Sequence, residues 1–291
     1  MTTRPLGVNT WVWLSPLTDE NLPGLARRIA ELGFDAIELP LENSGDLDHD
    51  ETAAVLRETG LAPYVVGAMA PGRDLVAASS GTVTGTQEYL RDCIDLAAAV
   101  GSPALCGPFY AQTGRVWRMT PEERAAGYAE WREHLAPLAE HAGERGVTLG
   151  IEPLNRYETS LVNTVDQALT GLGPLLGQGV GLALDTYHLN IEERDSAAAV
   201  RAAGEHLVHV QVCGNDRGAP GHDQTDWAGI VAALDEIGYD GALNIESFTP
   251  DNAAIAVAAS IWRPLAESPD ALASEGLAFL RSLTADLADV T

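Results

Sequence analysis

Short apolar runs alternate with longer stretches of helical spacing along the whole chain. Runs at 6–11 (LGVNTW), 34–41 (FDAIELPL), 62–69 (APYVVGAM) and 104–110 (ALCGPFY) read as strands, as do 147–154 (VTLGIEPL), 180–187 (VGLALDTY), 207–213 (LVHVQVC) and 241–247 (GALNIES). Between them, 20–33 places Leu22, Leu25, Ala26 and Ile29 on one helical face, and 87–101 and 121–146 repeat the pattern. Thr120, followed by Pro121 and by Glu123 at the third position, predicts a helix start. Gly33, Gly60, Gly101, Gly146 and Gly238 each stand where a helix should end before the next strand.

Eight strand–helix units with no linker or shift in composition predict one parallel sheet. Eight is also the number that closes a (β/α)8 TIM barrel, which needs roughly 250 residues. An open doubly wound sheet competes, but no GxGxxG follows the first strand. The expectation is a single α/β barrel domain over 1–291.

Charge narrows the partners. With 17 basic against 42 acidic residues, the formal charge of −25 leaves little to replace counterions on a polyanion, so nucleic acid is excluded. The acids are spread along the chain and read as a solvated surface. Cys93, Cys106 and Cys213 have neither zinc-type spacing nor an even number for a disulfide framework. The opening MTTRPLGVNTWVW lacks an apolar segment with a cleavage site, and no run is long enough to span a bilayer. A cytoplasmic protein without membrane partners is expected.

Chemistry gathers where the later strands end. The fifth brings Glu152, the sixth Asp185, the seventh Gln211 and the eighth Glu246, each about one strand–helix unit from the last. Alternation puts Glu152 on the face of Gly150, and Asp185 on that of Ala183 and Gly181, leaving room in the barrel centre. In a TIM barrel this end carries the active site. Three carboxylates converging at low dielectric need a positive group among them, and oxygen-rich ligation suits Mn²⁺, Mg²⁺ or Co²⁺. The bland alternative, that each acid caps a helix or pairs with an arginine, weakens when four consecutive strands repeat the placement.

Neighbouring residues carry weaker signals. His188 lies on the loop leaving the sixth strand, beside Asp185, and is a substrate-binding or acid–base candidate. Arg217 is one of few bases near an acidic mouth, and Glu158 sits at the rim. His209 reads as a hydrogen-bonded core histidine one layer deeper. Trp11 and Trp13 share a face and either wall a sugar pocket or plug the barrel.

These stretches resemble the ketose 3-epimerases, the D-tagatose/D-allulose (psicose) group of xylose isomerase-like barrels. The likeness rests on IEPLNRYETSLVNT (151–164), LDTYHLNIEE (184–193), NDRGAPG with the following DW (215–227), IGYDGALNIESF (237–248) and IWRP (261–264), and extends over nearly the whole chain. It implies a divalent metal, usually Mn²⁺ or Co²⁺, held at Glu152, Asp185, Gln211 and Glu246, with the two glutamates as the proton-transfer pair. It places Glu158, His188 and Arg217 at substrate-binding positions and Trp13 and Phe248 at hydrophobic wall positions. Gln211 stands where the commonest pattern has histidine; its amide oxygen is a harder, neutral ligand, which bears on metal identity.

The implied reaction is inversion of a free ketose at C3 through a cis-enediolate, one glutamate removing the proton and the other returning it on the opposite face. The resemblance also implies a homo-oligomer, dimer or tetramer. Alternatives on the same scaffold are an aldose–ketose isomerase of the hydroxypyruvate or rhamnose type, a 3-keto-sugar lyase and a non-catalytic sugar-binding barrel. A DNA-repair endonuclease would need a histidine cluster and a basic rim, both missing here.

Overall fold

The computed structural model describes residues 4–251 and 253–288; the first three residues of the amino-terminal stretch lie outside them. Eight parallel strands close in sequence order: β1 (Leu6–Asn9), β2 (Ala36–Leu41), β3 (Ala62–Gly67), β4 (Ala104–Gly107), β5 (Thr148–Ile151), β6 (Val180–Asp185), β7 (Leu207–Val212) and β8 (Leu243–Ile245). β1 seals the barrel by pairing Gly7 with both Ala36 of β2 and Asn244 of β8. The fold is therefore the closed TIM barrel expected from the eight repeats. Among the described residues no helix is long and apolar enough to cross a membrane.

Several strands stop two or three residues short of the apolar runs, for local reasons. Pro108 and Pro153 follow β4 and β5 closely and offer no N–H to the ladder. Asn9 accepts from the Trp11 amide at 2.8 Å, which starts a 3-10 turn over Thr10–Val12. Asp185 ends β6 by capping the helix Thr186–Glu192. The strands thus break where their polar residues begin to serve the barrel mouth.

The helices follow their signals more closely. Pro121–Glu144 opens with a complete capping box between Thr120 and Glu123. Gly33, Gly60 and Gly101 close three helices in the left-handed region, with φ of 96°, 73° and 80°. One helix is longer than its periodic segment: Ser80–Val100 begins seven residues before position 87, because Ser79 accepts from the Thr82 amide. The run SGTVTG hides that turn behind residues of poor helix propensity.

One packing contact ties the outer ring to the mouth. Trp131, fully buried on Pro121–Glu144, donates its indole N–H to the Phe109 carbonyl at 2.8 Å and meets the Tyr110 ring edge-on, with centroids 5.6 Å apart. Tyr110 in turn donates to the Glu152 carbonyl at 3.0 Å, so the ends of β4 and β5 are braced by one aromatic pair. Trp131→Ala is expected to cost about 3–5 kcal/mol, read as a lower urea midpoint. An unchanged midpoint would mean that the indole braces nothing.

Candidate active site

The C-terminal ends of the strands surround a cavity of about 300 Å³. Glu152, Gln211 and Glu246 line it, joined by Glu158, His188, Arg217 and Phe248. Its other side is mainly apolar, with Val66, Met69 and Ile255 among the wall residues. Asp185 lies just behind, 1% exposed, with Arg217 lying against it.

Asp185 is fully engaged. One oxygen accepts from the Tyr187 amide at 2.9 Å, as a helix cap, and the other is paired with Arg217 Nη1. The same Nη1 donates to Glu246 Oε2 at 2.8 Å. One guanidinium therefore bridges two of the three carboxylates. Its approach is fixed by the ring of Tyr187, 4.1 Å away, and by Ser247, whose hydroxyl donates to the Arg217 carbonyl at 2.6 Å. Arg217 itself adopts φ of 69°, a conformation uncommon for a side chain of this size.

His188 is not on a loop. Because Asp185 caps a helix at this point, His188 falls in its first turns and is buried, 2% exposed. Its Nδ1 receives the Asn155 backbone N–H at 3.0 Å and lies 3.0 Å from the Asn155 side-chain nitrogen. A backbone N–H can only donate, so Nδ1 must accept, and the neutral ring carries its proton on Nε2. That proton faces Glu152 Oε1 at 3.5 Å and Asp185 Oδ2 at 3.7 Å, with Arg217 Nη2 3.1 Å away. Burial lowers the His188 pKa, so the ring stays neutral at neutral pH. With Nε2 protonated, Arg217 Nη2 finds no acceptor in that ring, and the two donors lie side by side at the cavity that both residues line.

Asn155 also donates to Glu158 Oε1 at 2.7 Å, which turns that carboxylate from a rim acid into a held one. Trp11 and Trp13 separate at the 3-10 turn. Trp11 lines the cavity, packs on Phe248 with centroids 5.5 Å apart and donates to Glu42 at 2.9 Å. Trp13 instead donates to Asp270 on the last helix at 2.8 Å and lies outside the cavity lining, because the turn ends the strand alternation that would have aligned the two.

The carboxylates are electrostatically unbalanced. Burial pushes Glu152 well above the usual carboxylate range; Glu246 and Asp185 push the same way, and Arg217 only partly opposes them. Burial raises Glu246 as well, against the pull of Arg217. For Arg217 burial disfavours the charge, but Asp185 and Glu246 outweigh it and the guanidinium is held firmly protonated.

Three acids against one guanidinium and a neutral imidazole leave the cluster short of positive charge. Glu152, Asp185 and His188 offer ligand atoms within 4.8 Å of one another, a buried group that could hold a metal ion. The donors are mostly oxygens, and the adjacent Cys213 thiol is held protonated by burial, which suits a hard or borderline divalent cation.

Sequence reasoning missed Glu38, Asn155, Tyr187 and Ser247. Glu38 had a readable signal, a lone acid within the oily AIELPL of β2. The others are set by hydrogen bonds between elements distant in sequence and carry no local pattern.

The chain matches the model of the xylose isomerase-like TIM barrel over residues 26–283. It is 31% identical over 278 residues to a ketose 3-epimerase of Arthrobacter globiformis, covering 95% of each chain. A solved L-ribulose 3-epimerase superposes with a TM-score of 0.89 at 28% identity, covering 99% of this chain and 98% of that one. A D-allulose 3-epimerase of Methylomonas sp., solved with D-allulose, superposes with a TM-score of 0.86 at 29% identity, covering 97% and 98%.

The raised Glu152 sets a pH dependence. Its folded pKa lies above its unfolded one, so metal-free stability falls as pH climbs from the ordinary Glu range through the raised value. His188, lowered on folding, acts in the opposite sense only below about pH 6.5, its ordinary value. Glu152→Gln is therefore expected to raise the melting temperature of the metal-free protein at pH 8, with the gain shrinking toward pH 5. A loss of stability at pH 8 would show that Glu152 is well compensated without a metal.

Proposed function

The chain belongs to the xylose isomerase-like TIM-barrel family, and on that premise we propose that it is a carbohydrate epimerase that inverts C3 of a free ketose. One observation carries the reading. Glu152 of the β5 end and Glu246 of the β8 end face one cavity from separate strands, and both are held above the ordinary acid range. A carboxylate at each position can act as general base or, once protonated, as general acid. Inversion needs one such group on each face of the carbon, since a single base would tend to return the proton to the side it came from.

Glu152, Asp185, Gln211 and Glu246 are the proposed metal ligands, with Mn²⁺ as the ion and Co²⁺ or Mg²⁺ as substitutes. When bound, the cation supplies Lewis-acid polarisation of the substrate carbonyl and charge neutralisation among the acids. The remaining work belongs to side chains. His188 and Arg217 both line the cavity, and their N–H groups are the donors proposed for a carbonyl oxygen that gains negative charge as it becomes an enediolate oxygen. Glu158, held by Asn155, accepts from a terminal hydroxyl of the sugar. Phe248 and Trp11 form the apolar wall that excludes water from the cis-enediolate.

The partner in this reading is a small ketose of the D-tagatose, D-allulose, D-fructose or L-ribulose type, handled in the cytoplasm. A homo-oligomer, dimer or tetramer, belongs to the same proposal; the 73% exposed Trp262 is the surface feature that supports it.

Metal-loaded protein incubated with ketohexoses, ketopentoses and 3-keto sugars should yield the C3 epimer of a ketose. An aldose would assign isomerisation between C1 and C2, and a released aglycone would assign a lyase. Glu246→Gln is expected to cut exchange of the C3 hydrogen with solvent deuterium by about 10²–10⁴-fold, with an unchanged circular dichroism spectrum. Exchange at the wild-type rate would remove Glu246 from the proton-transfer pair.

A further inference from the structure

The proposed chemistry leaves the buried carboxylate of Glu38 unused. Glu38 lies on β2 beneath the cavity and is fully buried. Its Oε1 accepts from His209 Nε2 at 2.5 Å, and its Oε2 accepts from Asn9 Nδ2 and, at 2.9 Å, from Gln211 Nε2. His209 is itself fixed, fully buried with its ring 5.2 Å from that of Tyr64.

The same Gln211 nitrogen donates to Glu246 Oε1 at 2.9 Å. An amide nitrogen has two hydrogens, and here each has a carboxylate acceptor. Turning the amide over would set its oxygen against both carboxylates and lose both hydrogen bonds at a buried site, where an unmade bond is costly. The amide therefore has one stable orientation, in which its oxygen is the atom left to offer the cavity that Gln211 lines.

From this geometry we infer that Glu38 is a positioning residue, which orients the Gln211 amide so that its oxygen is presented to a divalent cation. The inference rests on the metal-dependent reading above and extends it one layer inward. Glu38 touches neither substrate nor metal; it acts through Gln211. The ring of N–H donors around Glu38 keeps its own carboxylate from turning, so the orientation passes from β2 to β7 without a flexible link.

The test is calorimetric titration of the metal-stripped full-length protein with MnCl₂, with the melting temperature of each metal-free variant recorded alongside. Glu38→Asp keeps the charge but withdraws the acceptor, and should raise the Mn²⁺ dissociation constant about 10–100-fold, the range seen when partners of metal ligands are removed. Glu38→Gln should do likewise in the wild-type background but change affinity less than about twofold beside Gln211→Met, which removes the amide. Equal weakening by Glu38→Gln in both backgrounds would assign the effect to lost charge and overturn the inference. So would wild-type affinity in Glu38→Asp, a variant that also covers failure of Glu38→Gln to fold. Wild-type protein that binds no Mn²⁺ would overturn both the metal-dependent reading and this inference; variants that match a metal-binding wild type would overturn this inference alone.

Discussion

The arrangement depends on an excess of buried negative charge at the barrel mouth. At an effective dielectric of about 20, two unit charges about 4 Å apart interact by about 4 kcal/mol. The guanidinium of Arg217 reaches Asp185 and Glu246, while Glu152 has the neutral imidazole of His188 beside it and feels Arg217 from farther away. The charge is thus partly compensated for two acids and scarcely for the third. That imbalance raises Glu152 and makes the cluster a group that could hold a divalent cation.

The barrel sustains this tension because its backbone does the placing. Parallel strands put inward side chains at fixed heights, and the register aligns Asp185 with Gln211 and Gln211 with Asn244 on neighbouring strands. Polar residues then form a descending ladder, from Glu246 through Gln211 to Glu38 and His209, in which each member is held by the next. Such a network favours one geometry through the bonds it makes, although Nδ1 of His209 at its lower end has no hydrogen-bond partner among the described residues. Arg217, wedged against Tyr187 and anchored through Ser247, closes the ladder at the top.

Much of this was legible in the sequence. The alternation of apolar runs and helical periods announces the closed barrel, and the acids ending strands five, six and eight stand out against oily segments. What escaped was governed by local capping or by long-range pairing. Asp185 reads as the end of a strand but is also a helix cap, which moves His188 from a loop into a buried turn. Trp11 and Trp13 look equivalent by parity until the Asn9 side chain starts a 3-10 turn between them. Asn155 sets the His188 tautomer across 33 positions, a relation no local pattern encodes.

The central claim is that four oxygen-bearing side chains hold one divalent cation at the strand ends. The most direct test is anomalous diffraction from crystals of the Mn²⁺-loaded protein. The account predicts a single peak about 2.0–2.5 Å from oxygens of Glu152, Asp185, Gln211 and Glu246, with Arg217 shifted to admit it. A peak bound through the His188 ring with Gln211 and Glu246 unligated, or no peak within the barrel mouth, would contradict it.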